Sequence, residues 1–154
     1  MSTEAETLRR GLLGAWSLVS YVQLPVGGGD DRYPLGEDAE GILMYTPDGF
    51  MSAQLMRRGR PELSSGDWFD ATDEEARAEA SGYIAYSGPF HVDADGTLTH
   101  TMTVSFHPNW IGQTQPRIAD LHGDTLRLST ASPIRSQGVE VHSYLTWRRI
   151  PPSD

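Results

Sequence analysis

Apolar and polar residues alternate without interruption between Thr97 and Phe106, and this alternation predicts one β-strand with two unlike faces. The first face carries Leu98, His100, Met102, Val104 and Phe106, and the second carries Thr97, Thr99, Thr101, Thr103 and Ser105. Because hydroxyl groups suit water, we expect the first face to point into the protein and to bring the imidazole of His100 with it. A buried histidine is either a core residue with satisfied hydrogen bonds or the polar anchor of a ligand cavity.

The residue patterns predict seven more strands and one substantial helix. These strands cover residues 15–22, 41–46, 50–56, 90–93, 113–121, 125–130 and 139–149. Tight turns at residues 47–49 and 95–96 join two pairs of strands into hairpins. Thr72 and Glu75 form the capping-box pattern that opens a helix running to about Tyr86, and residues 8–13 form a short helical lead-in to the first strand.

Strands that follow one another through short turns form a meander, and a meander of about eight strands removes its edges by closing into a barrel. We therefore predict an all-β fold: an antiparallel barrel of about eight strands, with one helix between the fourth and fifth strands. A sandwich would need Greek-key crossings, which nothing in the chain requires. The length of 154 residues suits a single domain over residues 1–154, with its core at about residues 12–149.

The charge of the chain argues against a nucleic-acid partner. Its 21 acidic and 12 basic residues give a formal net charge of −9, and its aromatic residues are not interleaved with basic ones. The first residues are acidic where a signal peptide would be basic, and no apolar run approaches the roughly 18 residues of a membrane span. We expect a cytoplasmic protein that binds neither nucleic acid nor a membrane, and we leave open whether it forms a homo-oligomer.

The residue types also restrict the chemistry. The chain contains no cysteine, which excludes disulfides and thiolate metal sites. Its five histidines lack the helical spacing of a zinc protease motif, so a metal site would have to be assembled from separate strands, and we predict none. The glycines at 27–29 lack the lysine and the helix of a phosphate-binding loop, and no serine lies in a nucleophile elbow. We therefore expect no cofactor and no acyl transfer.

Five short segments of the chain carry a family resemblance. They are Gly14-Ala15-Trp16-Ser17-Leu18-Val19-Ser20-Tyr21, Tyr45-Thr46-Pro47-Asp48-Gly49-Phe50-Met51-Ser52, Tyr83-Ile84-Ala85-Tyr86-Ser87-Gly88, Pro108-Asn109-Trp110-Ile111-Gly112 and Leu126-Arg127-Leu128-Ser129-Thr130. Together they resemble the lipocalin-like domain family of bacteria and fungi, a calycin-type barrel, over about residues 12–149. The resemblance implies that Trp16 stacks under Arg148 or Arg149 at one end of the barrel. Related small barrels range from carriers of apolar molecules to cofactor-free cyclases and isomerases, the allene oxide cyclases among them, so the fold does not choose the function.

Residues that share a strand face with apolar neighbours are the candidates for a site inside this barrel. If the protein is an enzyme, we expect His100 and Arg117 to be its catalytic residues. We expect the ligand to contact Tyr45, Gln54, Met102, Phe106, Trp110 and Gln115. The alternation of side chains leaves two alternatives for the faces of the hairpin 41–56 that point into the barrel. We favour the mixed faces for the cavity, namely Gly41, Leu43 and Tyr45 with Phe50, Ser52, Gln54 and Met56. The purely apolar faces would then pack beneath the helix. Each of two candidates also has a purely structural alternative. Arg117 would reach water at the rim of the barrel, and Trp110 would plug its mouth.

Three functions remain in competition. The first is a barrel that binds a small, mostly apolar organic molecule with a polar or anionic group. The second is a cofactor-independent cyclase or isomerase, in which His100 exchanges a proton, Arg117 stabilises an anion, and Tyr45 and Gln115 orient the substrate. The third is a filled barrel that acts as an interaction module, which predicts no cavity of about 300 Å³ or more.

Overall fold

Eight antiparallel strands close into a barrel in the computed structural model, which describes residues 3–153. The strands are β1 (Gly14–Pro25), β2 (Glu40–Tyr45), β3 (Phe50–Met56), β4 (Tyr83–Val92), β5 (Leu98–Thr101), β6 (Val104–Ser105), β7 (Thr114–His122), β8 (Thr125–Thr130), β9 (Ile134–Ser136) and β10 (Val139–Arg149). The ring runs β1-β2-β3-β4-β5-β7-β8-β10, and β10 pairs again with β1. The short strands β6 and β9 lie outside the ring, against β4 and β10. The predicted antiparallel barrel is confirmed.

The helices differ from the prediction in position and extent. Residues 3–153 contain α1 (Glu4–Leu12) and α2 (Asp73–Ser81), besides a 3-10 turn at Pro108–Trp110. Helix α2 lies between the third and fourth strands, not the fourth and fifth, as the order of the predicted strands along the chain already requires. It ends at Ser81 because Gly82 caps it, and Tyr86 therefore belongs to β4 rather than to the helix. In the part of the chain that the structure describes, no helix has the length and apolar character needed to cross a membrane.

Helix α1 closes one end of the barrel. The guanidinium of Arg149 lies 4.2 Å from the ring centre of Trp16. It also donates hydrogen bonds to the carbonyl oxygens of Leu13, at 2.9 Å, and Gly11, at 2.6 Å. The indole nitrogen of Trp16 donates to the carbonyl oxygen of Leu12, at 2.9 Å. A helix leaves its last carbonyl groups without partners, so these bonds both satisfy the end of α1 and attach it to the barrel.

The half of the barrel next to α1 is filled with side chains. Its largest fully buried members are Leu12, Trp16, Leu43, Tyr45, Leu98, Leu126 and Trp147. Apolar burial on this scale is the main source of stability in a chain without disulfides. The barrel therefore has a solid half, and a cavity can lie only in the other half.

The strand predicted over residues 97–106 is interrupted by a β-bulge. The pairing of β4 passes from β5 to β6, and between these pairings three residues stand opposite two of β4. One extra residue reverses the alternation of faces. Leu98, His100 and Met102 are fully buried, as predicted, whereas Val104 and Phe106 are 69% and 49% exposed. The expectation that Phe106 contacts a ligand inside the barrel was therefore wrong.

The inner face of β3 is the one opposite to our prediction. Tyr45 pairs with Met51, and Leu43 pairs with Ala53. Residues directly opposite each other in an antiparallel pair lie on the same side of the sheet, so the burial of Leu43 and Tyr45 requires the burial of their partners. The residues that point outward are Phe50, Ser52, Gln54 and Met56. Gln54 therefore does not face the interior, and its side chain accepts a hydrogen bond from Tyr83 on the outer wall.

The helix does not cover the apolar outer wall. No residue of α2 is buried, although the apolar faces of the hairpin 41–56 were expected to pack beneath this helix. Ile42 and Met44, on the outer face of β2, remain about half exposed. The chemistry of α2 explains this result, since charged residues occupy every turn of the helix and leave no continuous apolar stripe.

The attachment of α1 can be tested at Arg149. Replacing Arg149 with glutamine should lower the free energy of unfolding by about 3 kcal/mol, because it removes the stacking contact and two charge-assisted hydrogen bonds. The matched control is Arg148→Gln, since Arg148 is exposed and should tolerate the change within about 0.5 kcal/mol. Urea unfolding followed by tryptophan fluorescence measures both values. Equal losses in the two variants would contradict the role given to Arg149.

The bulge depends on a close approach at Gly88. A methyl group at this position would overlap the carbonyl oxygen of Thr101. We expect Gly88→Ala to destabilise the protein by about 3 kcal/mol, at the upper end of overpacking costs. Gly27→Ala is the control, because nothing lies within 4 Å of the added methyl, and its effect should be neutral or slightly stabilising. The difference in urea midpoint between the two variants is the measurement, and a Gly88→Ala protein as stable as wild type would refute the steric argument.

Candidate functional site

A cavity of about 260 Å³ opens at the end of the barrel opposite α1. Its walls come from the ring strands β1, β3, β4, β7, β8 and β10, and from the chain segments 108–110 and 131–135. The lining residues are Tyr21, Leu55, Ile84, Tyr86, Trp110, Gln115, Pro116, Arg117, Thr130, Ala131, Ser132, Ile134, Arg135, Ser143 and Leu145. The cavity is therefore the interior of the barrel's open half.

One side of the cavity is mostly apolar and aromatic. Leu55 and Ile84 come from β3 and β4, and the ring of Tyr86 meets the indole of Trp110 edge to face, with their centroids 6.0 Å apart. Trp110 stands at the end of the 3-10 turn that follows β6, and it is partly buried. Edge-to-face aromatic pairs hold their rings in a defined orientation, so this wall offers a fixed flat surface to a ligand.

The other side carries a continuous arc of polar groups. Arg117 of β7 pairs with Thr130 of β8, and the hydroxyl of Thr130 accepts a hydrogen bond from the amide of Ser143, at 3.1 Å. The side-chain amide of the buried Gln23 donates to the hydroxyl of Ser143, at 3.2 Å, and to that of Tyr21, at 3.1 Å. Strand pairing thus brings hydroxyls from β1, β8 and β10 into line with the guanidinium on β7.

Gln115 and Arg117 form the charged part of this arc. The guanidinium of Arg117 donates to the side-chain oxygen of Gln115, at 2.9 Å, and to the carbonyl oxygen of Pro116, at 3.0 Å. Both side chains line the cavity and are partly buried. Their position on one face of β7, two residues apart, follows from the period of a strand.

His100 lies beneath the cavity. Its imidazole is fully buried, with Nε2 2.8 Å from the hydroxyl of Tyr45 and Nδ1 3.5 Å from the hydroxyl of Tyr86. Burial lowers the pKa of His100 from 6.5 to about 3, and the positive charge of Arg117 acts in the same direction. Burial also raises the pKa of Tyr45 well above 10. The pair is therefore uncharged at neutral pH, and each partner satisfies the other.

The structure sorts the predicted site residues into three groups. Trp110, Gln115 and Arg117 line the cavity. His100, Tyr45 and Met102 are fully buried in the layer below it. Gln54 and Phe106 lie on the outer surface. The four residues expected to converge, His100, Arg117, Gln115 and Tyr45, do share the inner face, since His100 pairs with Gln115 across β5 and β7 and contacts Tyr45. Their roles in binding or catalysis remain predictions.

Sequence reasoning missed most of the polar arc. Tyr21 and Gln23 share one face of β1, but a register shift between Leu18 and Ser20 breaks the alternation that would connect them to Trp16. Ser143 lies between apolar neighbours of the same face, where a serine has no distinctive pattern. The only sequence signal was a polar residue at an inward-facing position of a strand, which occurs on β1, β8 and β10. Its meaning becomes clear only when these three strands are placed side by side.

Neutral His100 cannot donate a proton from an imidazolium near pH 7, and its ring nitrogens already have tyrosine partners. The groups that reach the cavity are instead hydrogen-bond donors and one guanidinium, besides Arg135 at the mouth. Among residues 3–153, no three His, Cys, Asp or Glu side chains lie together as a metal site. The arrangement is suited to recognising oxygen atoms on an otherwise apolar molecule.

The depressed pKa of His100 predicts a specific loss of stability in acid. The unfolded chain takes up a proton near pH 6.5, whereas the folded protein does so only near pH 3, so stability falls as the pH drops through this interval. Between pH 7 and pH 5, wild type should lose about 2 kcal/mol more than His100→Gln, which cannot take up this proton. His91→Gln is the control, because it makes the same substitution at an exposed histidine. Urea unfolding at both pH values gives the difference, and identical pH dependence in wild type and His100→Gln would disprove it.

Two comparisons with known proteins agree with this architecture. A family model described as a lipocalin-like domain matches residues 13–150. The 4'-hydroxy-3'-methoxypropiophenone carrier protein ppsC of Aspergillus oryzae is 41% identical over 108 residues, which cover 66% of this chain and 97% of the relative. The chain therefore belongs to the lipocalin-like domain family.

Proposed function

We propose that this protein is a carrier of a small, mostly apolar organic molecule with a polar or anionic group, held in the open half of the barrel. The observation that carries the proposal is the division of the cavity wall. An aromatic side formed by Tyr86 and Trp110 faces a polar arc that includes Arg117 and Ser143. A flat molecule with oxygen atoms along one edge matches both sides.

The size of the cavity indicates the size of the ligand. Its volume of about 260 Å³ is slightly below the range of about 300–1,000 Å³ that holds drug-sized ligands. A molecule with one substituted ring suits this space. The relative from Aspergillus oryzae is named as the carrier of 4'-hydroxy-3'-methoxypropiophenone, a hydroxyaryl ketone with one ring. We propose a hydroxyaryl ketone of this size as the ligand here.

The carrier proposal is favoured over the cyclase or isomerase by the state of His100. The proposed enzyme needs a group that exchanges a proton with the substrate, but His100 lies below the cavity lining and its pKa is about 3. Arg117 alone stabilises an anion without moving a proton. The enzyme alternative therefore requires a base that the described lining residues do not provide.

The interaction-module alternative is supported by the filled half of the barrel and by a cavity smaller than about 300 Å³. It does not account for the polar arc, whose hydroxyls would be replaced by apolar side chains if filling were the only requirement. We further propose a cytoplasmic location. The net charge of −9 argues against a nucleic-acid partner. The carrier proposal does not depend on whether the chain forms a homo-oligomer.

Calorimetric titration with 4'-hydroxy-3'-methoxypropiophenone tests the carrier function. We expect one site per chain, and we expect Trp110→Ala to weaken binding about tenfold because it removes part of the aromatic wall. Trp68→Ala is the matched control: Trp68 is 84% exposed in the loop before α2, and its loss should leave the affinity unchanged.

The same samples distinguish a carrier from an enzyme. After prolonged incubation, the ligand should be recovered unchanged by mass spectrometry and chromatography. Recovery of an isomer or a cyclised product would overturn the carrier proposal in favour of the enzyme. Absence of binding, for this ketone and for related single-ring compounds, would favour the interaction module.

A further inference from the structure

The cavity has a charge opposite in sign to that of the whole protein. The chain carries 21 acidic and 12 basic residues, yet the charged residues among those described as lining the cavity are Arg117 and Arg135, both positive. Arg135 is exposed at the mouth, whereas Arg117 is partly buried on the inner wall. A positive interior in an acidic protein indicates that the cavity selects for the charge of its ligand.

Arg117 has no carboxylate partner in the part of the chain that the structure describes. The ion pairs found there involve Arg58, His122 and Arg149. Arg117 donates instead to two uncharged acceptors, the side chain of Gln115 and the carbonyl of Pro116. A guanidinium has five N–H groups, so these two bonds leave three for another acceptor.

The groups that face Arg117 from the neighbouring strands do not supply a negative charge at neutral pH. Burial raises the pKa of Tyr21, on β1, and of Tyr45, on β2, so both stay protonated. His100, on β5, is neutral because its pKa is about 3. The other titratable or charged groups described as lining the cavity are the hydroxyl of Tyr86, on β4, and the second cation, Arg135, on β9.

We infer that the cavity binds its ligand as an oxyanion, with the guanidinium of Arg117 contacting the charged oxygen. The inference rests on the proposed carrier function and adds the ionisation state of the ligand. Gln115 acts as a positioning residue, because its side-chain oxygen accepts from one arm of the guanidinium and fixes the direction of the others. The partly buried site strengthens the attraction, since less water screens the two charges.

For a hydroxyaryl ketone, this chemistry has a measurable consequence. The ring oxygen of such a phenol is ionisable, and a cation within about 4–6 Å lowers the pKa of an acidic group by roughly one to three units. The bound ligand should therefore be a phenolate at a pH where the free ligand is still largely protonated. The proton is released to solvent on binding. Because ionisation of the phenol changes its ultraviolet absorption, the bound form can be observed directly.

The experiment is an absorption titration of 4'-hydroxy-3'-methoxypropiophenone against pH, free and with excess protein. We expect the pKa of the bound phenol to fall by at least one unit in wild type. Arg117→Gln should abolish this fall, and Arg117→Lys, which keeps the positive charge, should retain part of it. Arg127→Gln is the matched control, since Arg127 stacks on Tyr144 outside the cavity, and it should behave like wild type.

Two further ligands separate the inference from the carrier proposal. 3',4'-Dimethoxypropiophenone cannot ionise, so it should bind to wild type at least tenfold more weakly than the phenol. The two ketones should bind equally well to Arg117→Gln. 4-Hydroxy-3-methoxybenzoate is already an anion and should bind in a manner that requires Arg117.

Binding of the phenol with an unshifted pKa, together with equal affinity for its dimethoxy analogue, would overturn the inference and leave the carrier function standing. Absence of ketone binding together with Arg117-dependent binding of the benzoate would overturn the proposed ketone and uphold the oxyanion site. Absence of binding by all three compounds would overturn both.

Discussion

The pairing of β1 with β10 is the constraint on which the rest of the structure depends. It runs from Trp16 opposite Arg149 to Pro25 opposite Val141, and it turns an open sheet into a barrel without free edges among the eight ring strands. The same pairing builds both ends of the interior. At one end it sets the guanidinium of Arg149 over the indole of Trp16, which holds α1 in place as a plug. At the other end it sets Gln23 opposite Ser143, which starts the polar arc of the cavity. A change in this register would therefore alter the plug and the cavity wall together.

Burial divides the polar groups of the interior into two kinds. The imidazole of His100 lies where charge is costly, so it is neutral and is enclosed by the hydroxyls of Tyr45 and Tyr86. Arg117 lies one strand away and closer to solvent. Its guanidinium is charged and has N–H groups from which no described residue accepts a hydrogen bond. The first set serves as a rigid floor, since each of its members is already satisfied. Arg117, unlike these groups, has N–H groups to offer a ligand.

The strand pattern was sufficient to predict the barrel and the burial of His100, because alternation over residues 97–102 depends only on the period of a strand. It was not sufficient beyond Met102. The bulge there requires a close backbone approach at Gly88, and a glycine inside a strand does not reveal which neighbour approaches it.

The error at Gln54 had a different origin. The tight turn before Phe50 fixes Tyr45 opposite Met51, so the hairpin register alone could have excluded the mixed face. The polar arc could not be assembled at all without the order of the strands, since Tyr21, Thr130 and Ser143 are distant in sequence and each is unremarkable alone.

The acidic surface and the proposed anionic ligand are compatible because the two act over different distances. Exposed charges separated from the cavity by more than about 8–10 Å are largely screened at physiological ionic strength. The net charge of −9 therefore contributes little at the position of a bound oxygen, whereas the guanidinium of Arg117 is in direct reach of it. Close to the cavity the described lining residues are positive or uncharged, so a ligand that has entered meets no opposing carboxylate. The proposed selectivity for an anion then follows from the composition of the inner wall and does not conflict with an acidic exterior.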